Sequence, residues 1–129
     1  MNNQYSFGTT LNMPYQEAIK HVKEALRAEG FGVLTEIDVR KTLQEKLGTE
    51  MEPYMILGAC NPQLAHRALE QEPEIGLLLP CNVVVRAEGN GSRVEIADPK
   101  SMLGIVGNEQ LDVIAQEAAQ KLHHALSAL

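Results

Sequence analysis

Apolar residues recur along this chain in two rhythms, one helical and one strand-like, and the rhythm changes at glycine, proline and asparagine. Tyr5 and Phe7 alternate with Ser6 and Gly8, which predicts a short strand over Tyr5 to Thr10. From about Met13 to Glu29, Tyr15, Ala18, Ile19, Val22, Ala25 and Leu26 follow i, i+3, i+4, i+7 spacing, the stripe of an amphipathic helix. Asn12 is its expected cap and Gly30 its left-handed stop. Phe31 to Ile37 predicts a second strand. Asp38 then caps a short helix striped by Val39, Leu43 and Leu47 and stopped by Gly48.

Thr49 to Pro53 reads as a turn, and Tyr54 to Cys60 is apolar throughout, as in a strand covered on both faces. Asn61-Pro62 pairs a cap with a first-turn proline and opens a helix buried through Leu64, Ala65, Ala68 and Leu69, ended by Pro73. Leu77 to Glu88 predicts one long strand interrupted at Pro80. It joins through Gly89-Asn90-Gly91 to a partner strand, Arg93 to Ala97. Asp98-Pro99 breaks that strand, and Ser101 to Gly107 reads as an unusually apolar loop. Asn108 caps a last helix striped by Leu111, Ile114, Ala115, Ala118, Leu122, Ala125, Leu126 and Leu129. The order predicts a single α+β domain over 1–129: a mostly antiparallel sheet with the first and last helices on one face. A mixed sheet with a parallel crossover through the Asn61 helix is the alternative.

Composition narrows the function. A formal charge of -6 without any basic stripe argues against nucleic acid and anionic membranes as partners. No apolar run approaches the ~20 residues that span a bilayer, and Met1 to Tyr5 lacks the features of a signal peptide, so a cytoplasmic location is expected. No motif names a cofactor. The four serines fall in no nucleophile elbow, and the two cysteines and scattered histidines do not form a zinc pattern. His21, His123 and His124 lie off the buried stripes and are expected in solvent.

The chemistry-bearing feature is a near-repeat, Ala59-Cys60-Asn61-Pro62 and Pro80-Cys81-Asn82-Val83. Cys60 ends a strand just before a helix N-terminus, where the helix dipole favours a thiolate. Antiparallel pairing would bring Cys81 near it. Buried cysteines also serve as small hydrophobes, so both readings stand. Asn61 is explained as a cap and Asn82 is not. Asp98 and Glu74 sit at element boundaries, where a carboxylate can face a cleft or simply form a turn. The candidate binding residues are therefore Cys60, Cys81, Asn82 and Asp98. The apolar loop and the alanine face of the last helix offer a candidate symmetric contact.

Taken together, Asp38-Val-Arg-Lys-Thr-Leu-Gln-Glu-Lys-Leu-Gly48, Tyr54-Met-Ile-Leu-Gly-Ala-Cys-Asn-Pro62 and Leu78-Leu-Pro-Cys-Asn-Val83 resemble the prokaryotic "domain of unknown function 302" family. The likeness extends over nearly the whole chain, including Gly30-Phe31-Gly32 and Asp98-Pro99. It implies a compact α+β fold similar to a half-repeat of the TATA-binding protein, and a homodimer, and it transfers no activity or cofactor. The expectation is a homodimeric module binding a small molecule near Cys60 and Cys81. The alternatives are a thiol-dependent redox or detoxifying enzyme using Cys60, and an interaction module with structural cysteines.

Overall fold

The computed structural model describes residues 3–129. Among them, β1 (Ser6–Leu11), α1 (Tyr15–Ala28), β2 (Gly32–Asp38), α2 (Val39–Leu47) and β3 (Tyr54–Cys60) are followed by α3 (Pro62–Gln71) and a 3-10 helix (Pro73–Leu78). The chain continues through β4 (Cys81–Glu88), β5 (Gly91–Ala97), α4 (Pro99–Gly104) and α5 (Glu109–Ser127). The sheet order is β1-β5-β4-β3-β2 and every pairing is antiparallel, so the parallel crossover is excluded.

Strand alternation gives the sheet two unlike faces. Phe7, Leu11, Leu57, Ala59, Val83, Val85, Val94 and Ile96 turn one way, into a core shared with α1, α3, α4 and α5. The expected stripe of α5 is almost entirely buried, and so are Ala18, Val22, Ala25 and Leu26 of α1. The opposite face carries the register neighbours Ile37–Ile56–Val84–Glu95 and Thr35–Gly58–Asn82. Among the described residues no helix sets a buried stripe on it. It is the open face.

Local signals placed most boundaries. Gly30 and Gly48 take φ of 84° and 67°, the left-handed stops the sequence predicts. Asp38, Asn61 and Asn108 cap through their side chains, accepting from the N–H groups of Lys41, Leu64 and Gln110. Asn12 does not cap α1. Pro14, at φ -62° and ψ 153°, holds the cap position in extended geometry, and the helix starts one residue later.

Three further expectations are corrected. The chain from Leu77 to Pro80 is not strand: Pro73–Leu78 coils as a 3-10 helix that buries Ile75, and β4 begins only at Cys81. Ser101 to Gly107 is not all loop, because Asp98 accepts from the Lys100 N–H and starts α4, whose Leu103 enters the core. The stripe of α2 buries nothing, and Leu47 is 72% exposed, since this helix follows the edge strand β2. Tyr54 to Cys60 is fully buried only at Leu57, Gly58 and Ala59. His123 is exposed as expected, yet its ring stacks on the buried Phe7 ring at 3.8 Å between centroids.

Candidate functional site

The two cysteines converge from adjacent strands. Cys81 opens β4 opposite Ala59, the residue before Cys60, and both thiols are free. They share a cavity of about 30 Å³ whose other walls include Phe31, Leu64, Leu79 and Ile114. The helix-dipole argument for a thiolate does not prevail. Burial pushes the Cys60 thiol up, and burial together with the neighbouring Cys60 pushes Cys81 up from 9.0 to about 11. A dipole is worth about 0.3–1 kcal/mol at a helix end and falls off within a turn. Asn61 lies between Cys60 and α3 and takes the Leu64 N–H itself. Both cysteines are therefore thiols at neutral pH.

Around the corner, on the open face, lies a larger groove of about 450 Å³. Small residues shape it: Ala97 lines it, and Gly58 lies buried beneath Thr35 and Pro80, which line it too. Gly58 pairs with Asn82 across β3 and β4, and Ala97 follows on β5 beside it. A β-carbon at Gly58 would stand 2.8 Å from Pro80 Cγ and closer still to Thr35 Oγ1. The absent side chain thus lets Pro80 fold over the sheet beside Thr35. Between Gly58 and Ala97 the exposed Asn82 amide stands clear, with no side-chain hydrogen bond among the described residues. Ile37 and Leu77 wall the groove, Cys81 closes one end, and no charged side chain lines it. Across Asn82 and Ala97 a shallower depression of about 200 Å³ continues toward Tyr54 and Glu95.

Of the predicted binding residues, Cys60, Cys81 and Asn82 gather at this end of the sheet. Asp98 does not project a free carboxylate: its Oδ1 caps α4 and its N–H donates to the Tyr5 carbonyl. Glu74 is exposed in the first turn of the 3-10 helix. The sequence reading missed Thr35, Gly58, Pro80 and Ala97. A glycine within an apolar strand is a signal of close backbone approach, and Gly58 carries it.

Comparison with known proteins now adds identity to geometry. The family model described as "Domain of unknown function DUF302" matches residues 7–129. The chain belongs to the DUF302 family. A crystal structure of an uncharacterized conserved DUF302 protein from Bacillus stearothermophilus is 31% identical, covers 98% of both chains and superposes with a TM-score of 0.90. The resemblance carried by the words around Cys60 and Cys81 is thereby shown, and with it the α+β fold. No curated protein matches this DUF302 chain. No helix among its described residues is long and apolar enough to cross a membrane, and no group of three or more His, Cys, Asp or Glu gathers as a metal site.

Proposed function

We propose that this DUF302 protein is a binding module whose small-molecule ligand lies in the open-face groove, with its polar group held by Asn82. The observation that carries the reading is the unpartnered Asn82 amide beside Ala97 in a groove of about 450 Å³. That volume falls in the range of ligand clefts, which join mostly apolar walls to a few placed polar groups. An amide offers two donors and an acceptor, and so complements another amide or a heterocycle edge. With no charge in the lining, the ligand is neutral and largely apolar. The lining holds no His or carboxylate to act as acid or base, which favours binding over turnover.

Amide-resolved NMR with a library of aryl amides and uncharged heteroaromatic compounds tests this reading. Hits are expected to shift Thr35, Gly58, Asn82 and Ala97 together, to weaken about tenfold in Asn82→Ala, and to vanish when Ala97→Leu fills the groove. Shifts confined to other surfaces, or none across the library, overturn it.

A homodimer belongs to the same proposal. The alanine face of α5 lies inside the core and is unavailable for contact. Ile105, 76% exposed just beyond α4, is an apolar side chain that a twofold contact would cover. Light scattering at micromolar concentration is expected to give twice the chain mass, and Ile105→Glu to halve it. A monomeric parent protein sinks the dimer and leaves the groove reading intact.

A further inference from the structure

The small cavity between β3, β4 and α3 shares Leu79, Pro80, Cys81, Pro99 and Leu103 with the groove but has its own logic. At about 30 Å³ it has room for one or two atoms of water size. A water there needs two to four polar partners, and the walls are poor in them. Asn61 Oδ1 already accepts from the Leu64 N–H, and Asn61 Nδ2 lies against Gly30. What remains is two sulfurs, Cys60 and Cys81, which line the same cavity within a largely apolar shell. Hard cations want six or more oxygen ligands, and structural zinc wants four ligands. Neither set is present.

We infer that Cys60 and Cys81 form a two-coordinate site for a soft monovalent d10 cation, with Cu(I) as the matching ion. Soft thiolates select Cu(I), and two of them satisfy it without further donors. Binding forms two S–Cu bonds, breaks two S–H bonds and releases two protons to solvent, with no change of oxidation state. The bis-thiolate complex carries one net negative charge. The positive N-terminal end of the ten-residue α3, which starts two residues after Cys60, offsets part of it. Cys60 is partly exposed and supplies the way in.

The test titrates the reduced protein, free of oxygen, with Cu(I) held by bicinchoninate. The expected result is withdrawal of one copper per chain, a thiolate-to-copper charge-transfer band in the ultraviolet, and protection of both cysteines from iodoacetamide at once. Cys60→Ser and Cys81→Ser should each weaken retention about a hundredfold or more, whereas Leu47→Ala, on the exposed edge helix α2, should retain copper unchanged. The copper count and the charge-transfer band need no variant, so they decide the matter even if a serine variant fails to fold. Copper left with bicinchoninate, protection of one thiol only, or one copper shared by two chains each overturns the site. The groove reading is tested on copper-free protein, so failure of the copper site leaves the ligand shifts at Asn82 untouched.

Discussion

Cys81 in the folded protein is expected to react with iodoacetamide at pH 8 about a hundredfold more slowly than an ordinary cysteine. The reason is the size of the thiolate fraction. Its pKa is raised from 9.0 to about 11, two units, and below both values each unit removes a factor of ten from the reactive form. Cys60 moves in the same direction through burial and is also slower than a free thiol. The sign for stability follows from proton linkage. Between pH 9 and 11 the folded chain holds a proton on Cys81 that the unfolded chain has released. Stability is therefore unaffected below about pH 9, falls as pH rises, and reaches its floor above about pH 11. Site-resolved mass spectrometry checks the rate, and urea midpoints from pH 7 to 11 check the slope. Rapid labelling of Cys81 at pH 8 in protein shown to be folded would refute the account.

Gly58→Val should destabilise the fold by about 3 kcal/mol, read as a lower urea midpoint at unchanged slope. In a regular exposed strand the change would favour stability, because valine suits strands and glycine does not. Here the β-carbon would enter space held by the Pro80 ring and the Thr35 hydroxyl. Thr35 is exposed and can turn aside. Pro80 is a ring fixed between the 3-10 helix and β4, so the backbone must move instead. Gly58→Ala should therefore cost less, and Thr35→Ala should recover part of that loss but little of valine's. An undiminished midpoint in Gly58→Val would mean that Pro80 is not seated over β3.

What was legible in the sequence was whatever one residue decides locally. Gly30, Gly48, Asp38, Asn61 and Asn108 each carry their own geometry, and each marks its boundary correctly. The long stripe of α5 needed no tertiary knowledge, since its period alone separates helix from strand. The Ile75 to Pro80 run has no such period, being too short and too uniformly apolar to distinguish a strand from a tight helix. Asp98-Pro99 held the same cap-and-proline signature as Asn61-Pro62, and only the second was read as a helix start.

The candidate site was half legible. Cys60, Cys81 and Asn82 stood out by their repeated words, and antiparallel pairing does bring them together. The groove could not be read, because it depends on how Thr35 and Pro80 pack over the side-chain-free Gly58. Its significance appears only when Pro80 is placed over Gly58.

The sheet order has a consequence for how the chain assembles as it is made. Strands β3, β4 and β5 each pair with the strand before them, so the meander from β2 to β5 can zip up as residues leave the ribosome. β1 comes first in the chain yet pairs with β5, Ser6 against Ala97 and Leu11 against Ser92. It must therefore wait until nearly the whole sheet has been synthesised. Until then Phe7 and Leu11 lack their seats in the core, and β5 presents an open edge of Val94 and Ile96. In a crowded cell, that edge is where a neighbouring nascent chain could take the place of β1.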